Sequence, residues 1–147
     1  MPTVNVINQI VINRPIEQVA RYAAHPDSAP DWYQNIVSVE WKTSGELDQG
    51  TKIDFVTRFL GKRVIHTYEI YDYIPGQHLF MKTDQGLFPM ETRYTWVATH
   101  SNGTKMTLQN MGKPKGLISV FRPLIRYIIN RQNKMDLKNL KSILESP

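Results

Sequence analysis

Hydrophobic and polar positions alternate with a period of two over most of the chain between Ile36 and Leu108. This alternation is the pattern of half-buried β-strands. It divides into six runs, and one side of these runs is formed by Val37, Val39, Trp41, Ile53, Phe55, Thr57, Phe59, His66, Tyr68, Ile70, Leu79, Met81, Phe88, Met90, Thr92, Tyr94, Trp96, Met106 and Leu108. Strands this close in sequence are joined as hairpins, because a parallel pair needs a crossover of a dozen or more residues. The pattern therefore predicts six antiparallel strands.

The first 33 residues predict one more strand and two short helices. Residues 4–13 alternate, with Val4, Val6, Ile10 and Ile12 on one side. Pro15 suits the first position of a helix, which should stop near His25-Pro26. A second helical turn is predicted over residues 28–33. The predicted order is β-α-α-β(six)-α.

The longest helical pattern covers residues 116–145. Two apolar rows follow its helical spacing. The first is Leu117, Phe121, Leu124, Ile128 and Met135, and the second is Leu137, Leu140 and Leu144. We expect the first row to face the sheet and line a cavity, with the helix beginning or bending at Pro123. From there to Glu145 it would be about 34 Å long, enough to cross a sheet.

Composition predicts one domain over residues 1–147. No apolar run reaches the length of a membrane span, and the N-terminus lacks the pattern of a secretory signal. Cysteine is absent, which excludes disulfides, thiolate metal sites and a cysteine nucleophile. Together these features predict a cytoplasmic protein.

The net charge of +5 is concentrated at the C-terminus, where residues 113–145 carry eight Lys or Arg and two acids. Arg131, Lys134, Lys138 and Lys141 share one helical face. That face is either the solvated back of the helix or a contact for an acidic protein or, peripherally, a membrane surface. Nucleic acid is not expected as a partner, because no aromatic residues alternate with these charges.

Few residues point to specific chemistry. His66 and Tyr68 share a strand face with Ile70, so they are candidate catalytic or ligand-orienting groups if that face is concave, and otherwise an exposed pair near the strand end. No histidine or carboxylate spacing predicts a metal, and the loop before Gly116 lacks the P-loop spacing, so no cofactor is expected.

Three further groups of side chains each have two interpretations. Tyr94 and Trp96 form either an adaptable cavity wall or solid core. Trp32 and Tyr33 form either a gate over a cavity or a packing anchor. Arg58, Glu91 and Arg93 are expected as cross-strand charge pairs on the outer surface.

The order of elements and several landmarks resemble the START/Bet v 1-like (SRPBCC) superfamily, and within it bacterial polyketide cyclase/dehydrase-like proteins. The matching stretches are residues 10–19 (IVINRPIEQV), Pro26-Asp27 with Trp32, residues 69–76 (EIYDYIPG) and residues 136–145 (DLKNLKSILE). The resemblance implies an α+β helix-grip fold, in which a curved seven-stranded antiparallel sheet surrounds a long C-terminal helix.

The resemblance also implies a small hydrophobic ligand between sheet and helix, since the superfamily includes lipid carriers, quinone-binding proteins and aromatic polyketide cyclases. A cyclase or dehydratase that uses His66 or Tyr68 is one alternative, and a docking module that uses the basic helix is another. The residues expected to line the cavity are Phe55, Phe59, His66, Tyr68, Met81, Met90, Tyr94, Phe121, Leu124, Ile125 and Ile128.

Overall fold

The computed structural model describes residues 3–59 and 61–147, and at Phe59 the backbone only. Seven strands form one antiparallel sheet in the order β1-β7-β6-β5-β4-β3-β2. Their bounds are β1 Val4–Ile12, β2 Ile36–Trp41, β3 Lys52–Phe59, β4 Lys62–Ile74, β5 His78–Thr83, β6 Met90–Ala98 and β7 Thr104–Gly112. The predicted strands and their antiparallel pairing are confirmed.

Two short helices follow β1, and a long one ends the chain. Helix α1 covers Ile16–Ala24, a 3₁₀ turn covers Pro26–Ser28, and α2 covers Ala29–Trp32. The chain then forms the sheet, a 3₁₀ segment at Gly116–Phe121, and helix α3 at Arg122–Glu145. Pro123 lies in the first turn of α3, where its missing N–H costs no helical hydrogen bond. It therefore begins the α-helix rather than bending it.

The pairing of the strands decides which side chains face α3. In β1 and β7 the register runs from Val4 opposite Gly112 to Ile12 opposite Thr104, and the even-numbered residues of both strands are mostly buried. β-Bulges interrupt the register between Ile36 and Ser38 and between Ile70 and Asp72. Such bulges bend a strand and increase its twist, which helps the sheet curve around the helix.

The packed core lies between the concave face of the sheet, α1, α2 and the second half of α3. Trp32 of α2 is only 1% exposed, so it is a packing anchor and not a gate. Among the described residues of α3, Leu137, Leu140 and Leu144 join this core. The first half of the helix contributes no side chain to it among the described residues.

The end of α3 is tied to the end of β1. Glu145 accepts a hydrogen bond of 2.8 Å from the backbone N of Asn13, and Arg14 donates one of 2.9 Å to the carbonyl of Glu145. Lys141 also donates to the carbonyl of Val11 at 2.7 Å. Helix α3 therefore lies along β1 with its C-terminus at the C-terminal end of that strand.

The predicted orientation of the first apolar row of α3 is wrong. Leu117 is 86% exposed and Leu124 is 54% exposed, and Phe121, Ile128 and Met135 are exposed as well. Leu137, Leu140 and Leu144 are buried and set the rotation of the helix. Leu124, Ile128 and Met135 lie on the opposite side of α3 and therefore face outward, and Leu117 and Phe121 are exposed in the 3₁₀ segment before the helix.

The predicted surface charges lie where we expected them, with one difference. Glu91 and Arg93 lie on the outer face of the sheet, but Arg93 Nε pairs with Glu91 Oε2 within the same strand rather than across two strands. Arg131, Lys134 and Lys138 are exposed on α3, which fits a solvated back. Lys141 instead pairs with Glu145.

Candidate functional site

The side of α3 that faces the sheet changes character halfway along. Leu144, Leu140 and Leu137 form its second half, at spacings of three and four residues. Continued towards the N-terminus with spacings of three and four, this row contains the buried Asn133 and the half-buried Asn130 and Arg122, whereas Arg126 is exposed. The sheet side of the first half is therefore mixed, because the half-buried Ile125 and Ile129 lie beside these polar residues.

The concave face of the sheet offers polar groups opposite this row. Thr92 and Asn110 are register partners in β6 and β7, and Thr92 Oγ1 donates a 2.6 Å hydrogen bond to Asn110 Oδ1. Asn8 of β1 donates from Nδ2 to Asn130 Oδ1 at 3.0 Å. We call Asn8, Thr92, Asn110, Asn130 and Asn133 the internal polar cluster.

Asn133, in the row of α3 that faces the sheet, has a side-chain N–H donor without a partner among the described residues. Its side chain is 4% exposed, and no described residue accepts a hydrogen bond from its Nδ2. A buried amide N–H without an acceptor costs about 1–3 kcal/mol. Asn133 therefore keeps a buried hydrogen-bond donor on the side of α3 that faces the sheet.

A group of tyrosines continues the polar surface towards α2. Tyr33 and Tyr94 share a 2.6 Å hydrogen bond between their hydroxyl oxygens. Burial raises the pKa of Tyr33 and of Tyr94, so both phenols are neutral donors at physiological pH. Burial likewise raises the pKa of Tyr68, and the nearby Thr92 hydroxyl opposes the shift.

Asp136 is the acidic residue buried beside these tyrosines. It is 5% exposed, and its Oδ1 accepts a 3.1 Å hydrogen bond from the backbone N of Gln34. Burial raises the pKa of Asp136 to about 6, although the bond from Gln34 opposes the shift. This carboxyl group can therefore exchange a proton near neutral pH.

His66 lies at the other end of the concave face, beside the loop that joins β5 and β6. It is the register partner of Phe55, whose ring meets the ring of Tyr68 edge-on at 5.5 Å. A Cβ added to Gly86 would lie 2.7 Å from His66 Cε1, so the loop lies close to the imidazole. Burial lowers the pKa of His66, which favours the neutral ring.

The structure places the predicted cavity residues in three groups. Those on the concave face, either buried or half-buried, are Phe55, His66, Tyr68, Met81, Met90 and Tyr94. Ile125 is half-buried beside the polar row of α3, whereas Phe121, Leu124 and Ile128 point outward and cannot line the space. The side chain of Phe59 lies outside the described residues. Ligand binding by the first group stays a prediction.

Sequence reasoning missed the internal polar cluster. Asn8, Thr92 and Asn110 are polar residues at positions whose parity matches buried neighbours, such as Val6, Tyr94 and Leu108. Asn133 and Asn130 continue the leucine row of α3 towards the N-terminus, at spacings of four and three residues. A polar residue inside an apolar periodic row was the available signal.

Two open grooves lie outside this space. One, of about 780 Å³, runs beside α1 and the Pro26–Ser28 turn. The other, of about 850 Å³, has charged side chains from the outer face of the sheet, including Lys52, Glu69, Lys82 and Glu91. Among residues 3–59 and 61–147, no three His, Asp or Glu side chains are grouped so that they could hold a metal ion.

The helix-grip fold, with its seven-stranded antiparallel sheet around a long C-terminal helix, is that of a START-like protein. The chain belongs to the family described as "Polyketide cyclase / dehydrase and lipid transport", whose model matches residues 3–145. The predicted membership of the START/SRPBCC superfamily is thereby confirmed. No curated protein has a sequence that matches this chain.

Several solved structures share the fold. The Zhui aromatase/cyclase from Streptomyces sp. R1128 has a TM-score of 0.82 at 14% identity, with 98% of this chain and 94% of that chain covered. A START superfamily protein from Mycobacterium smegmatis has a TM-score of 0.80 at 14% identity, covering 96% and 97%. TTHA0849 from Thermus thermophilus has a TM-score of 0.79 at 19% identity, covering 95% and 96%. At these identities the likeness concerns the fold.

In the described part of the chain, every helix is too short or too polar to span a bilayer.

Proposed function

We propose that this protein binds a small amphipathic molecule between the concave face of the sheet and the first half of α3. The observation that carries the proposal is the buried Nδ2 of Asn133, which lacks an acceptor among the described residues. A ligand carbonyl, carboxylate or hydroxyl oxygen would supply that acceptor. The ligand's polar end would thus bind to the internal polar cluster.

The apolar end of the ligand would lie against Phe55, Met81 and Met90. All three side chains are on the concave face of the sheet, with Phe55 and Met81 in the packed core and Met90 half-buried. Burying apolar ligand surface there would contribute about 25 cal/mol per Å². Methionine adapts its shape to different ligands, so the two methionines suit an unspecialised apolar wall.

The family supports the same proposal, because its description includes lipid transport. A lipid or a quinone-like molecule has the required polar end and apolar body. Mass spectrometry of small molecules that co-purify with the protein from its own host should reveal such a compound. A protein that carries no compound and binds no amphipathic probe would contradict the proposal.

A matched pair of variants tests the position of the polar end. Thr92→Val removes a hydroxyl from the internal polar cluster, whereas Thr107→Val makes the same change on the outer face of β7, opposite Thr95. With a dansyl-labelled fatty acid as probe, Thr92→Val should raise Kd about fivefold, as expected for one lost hydrogen bond of about 1 kcal/mol. Thr107→Val should leave Kd unchanged. Equal effects of both variants would place the probe elsewhere.

Asn133→Leu gives a second test at the same site. The substitution removes the buried donor and fills similar space, so binding of the probe should weaken although the fold becomes no less stable. The urea midpoint separates these two effects. Weaker folding with unchanged binding would make Asn133 a structural residue only.

A polyketide cyclase or dehydratase is the second candidate, and the half-buried His66 and Tyr68 favour it. His66 is a neutral base whose pKa burial lowers, and Tyr68 is a neutral donor two positions along the same strand face. Such a pair could move protons during ring closure of a poly-β-ketone. Similar folds include a protein named as an aromatase/cyclase.

The enzymatic proposal requires turnover of a poly-β-ketone thioester. His66→Gln and Tyr68→Phe should each lower the rate of cyclised product by about 100-fold, the lower range for loss of a general acid or base. Thr107→Val serves as the unaffected control. If the wild-type protein formed product no faster than buffer does, the enzymatic proposal would fail and the binding proposal would remain.

A further inference from the structure

The 3₁₀ segment Gly116–Phe121 and the first half of α3 expose a series of apolar residues. Six side chains, spaced three or four residues apart along the chain, are between 42% and 86% exposed. They are Leu117, Val120, Phe121, Leu124, Tyr127 and Ile128, and we call them the outer apolar surface. Contiguous apolar patches of this kind are uncommon on monomers and mark sites of interaction.

The loop between β5 and β6 lies next to the start of this surface. The backbone N of Lys113 donates to the carbonyl of Pro89 at 3.2 Å, and the ring of Phe88 lies against Gly112. Leu87, in the same loop, is 71% exposed. Leu87 therefore adds another exposed apolar side chain in the loop that contacts Gly112 and Lys113, just before the outer apolar surface begins.

The segment that carries the outer apolar surface has charges of one sign only, although Asp84 of the β5–β6 loop lines a groove together with Lys113. Residues 113–135 contain six Lys or Arg and no Asp or Glu. Lys113, Lys115, Arg126, Arg131 and Lys134 are exposed. Their electrostatic complement is an extended negatively charged surface.

A second copy of the chain is a poor occupant for this reason. A symmetric dimer joins the same patch on both subunits. It would bring the basic side chains of one copy against those of the other, and like charges at close range repel. A lipid surface with anionic headgroups instead accepts the apolar side chains and attracts the flanking cations.

We infer that the outer apolar surface docks on an anionic lipid bilayer. Leu117, Phe121 and Leu124 would enter the boundary between headgroups and acyl chains, and the lysine and arginine side chains would reach the phosphates. The inference goes beyond the proposed function, because docking does not require a ligand in the protein. It also gives the first half of α3 two faces, one towards the internal polar cluster and one towards the bilayer.

Flotation with lipid vesicles tests the inference on the full-length protein. One set of vesicles contains phosphatidylcholine alone, and the other contains equal parts of phosphatidylcholine and phosphatidylglycerol. The protein should float with the mixed vesicles and remain behind with the neutral ones. Absence from both sets, or equal binding to both, would overturn the inference.

Paired apolar substitutions locate the contact. Leu117→Ser with Leu124→Ser should lower the partition coefficient at least about tenfold, because two leucines no longer bury apolar area in the lipid. Ile65→Ser with Val97→Ser makes a comparable change at two exposed positions on the outer face of the sheet. That control pair should float like the wild type, and an equal loss in both pairs would overturn the inference.

Paired charge reversals separate local from overall charge. Lys115→Glu with Arg131→Glu should lower the partition at least about tenfold, since each cation near the membrane contributes about 1 kcal/mol. Lys62→Glu with Lys105→Glu changes the net charge equally at exposed positions of the sheet. Equal losses in both pairs would show attraction by net charge only, and the inference would fail.

Light scattering at several protein concentrations tests whether a second copy of the chain binds to the outer apolar surface instead. A monomer throughout agrees with lipid docking. A dimer that Leu117→Ser with Leu124→Ser dissolves would assign the surface to a second copy and overturn the inference.

Discussion

Asn8 and Asn130, which are 122 positions apart, join the first strand to the C-terminal helix through a 3.0 Å hydrogen bond from Nδ2 to Oδ1. The bond holds Asn130 against the sheet, in agreement with the rotation that the buried Leu137, Leu140 and Leu144 set. With Asn130 on the sheet side, Leu124 and Ile128 face outward, since a helix shows opposite residues on opposite faces.

Asn130→Ala should lower the free energy of unfolding by about 1–2 kcal/mol, because Asn8 loses its partner in a partly buried position. Urea unfolding followed by circular dichroism measures the change. Lys134→Ala, on an exposed position of the same helix, should stay within about 0.5 kcal/mol of the wild type.

A double-mutant cycle isolates the bond itself. If the two side chains interact as the structure shows, Asn8→Ala combined with Asn130→Ala should cost less than the two single changes together. Strict additivity would mean that the two side chains do not stabilise each other.

The sheet could be predicted from the sequence because its signal is local. Alternation with period two identified the strands, and short glycine-containing connections required hairpins. The order of elements then matched the helix-grip superfamily. The bulge after Ile70 had no local signal, since it reverses the parity of β4 without any glycine or proline at that position.

The rotation of α3 could not be predicted, because two apolar rows share one helix. Leu117, Phe121 and Leu124 form as regular a row as Leu137, Leu140 and Leu144. Choosing between them requires knowing which row the sheet covers, and that is a tertiary contact. On the sheet side, predicted residues such as Tyr68 lie on the concave face, and their role in binding stays a prediction. On the helix side, Leu124 and Ile128 face outward.

Truncating one leucine from each row tests which of the two rows faces the sheet. Leu140→Ala leaves a cavity in the packed core and should destabilise the protein by about 2–5 kcal/mol. Leu124→Ala removes an exposed side chain and should change stability by about 0.5 kcal/mol or less. Urea midpoints of both variants decide the matter, and a larger loss for Leu124→Ala would reverse the orientation of α3.

Gly86→Ala should disturb His66. Gly86 has a φ of +87°, and its new Cβ would lie 2.7 Å from the imidazole. Gly45 has a φ of +102° with open space around it, so Gly45→Ala carries the backbone strain alone. The expected difference between the two variants is about 1 kcal/mol in unfolding free energy, within the usual cost of overpacking.

The protonation of His66 gives an independent measurement for the same pair of variants. Burial lowers the pKa of His66 in the wild type, and NMR titration should find it below the ordinary value of 6.5. If Gly86→Ala pushes the ring towards solvent, its pKa should return towards that value. An unchanged His66 pKa in this variant, with a shift in Gly45→Ala, would contradict the contact.

Asp136 should make the protein less stable as the pH rises from about 4 to about 6. Burial raises the pKa of Asp136 to about 6 in the folded state, against 3.8 for an ordinary carboxyl group. Between these values the folded protein binds more protons than the unfolded chain, so the free energy of unfolding falls with rising pH. Above both values the group is ionised in both states, and its full cost, at most about 3 kcal/mol, is present.

Asp136→Asn isolates this contribution. The amide keeps an oxygen that can accept from the backbone N of Gln34, and it carries no charge at any pH. The variant should equal the wild type at about pH 4 and exceed its stability by about 2–3 kcal/mol at about pH 8, measured by urea unfolding of both proteins. Subtracting the two curves removes the other titrating groups, including His66. A difference that does not change with pH would show that Asp136 keeps an ordinary pKa in the folded protein, and the buried carboxyl group could then not exchange a proton near neutral pH.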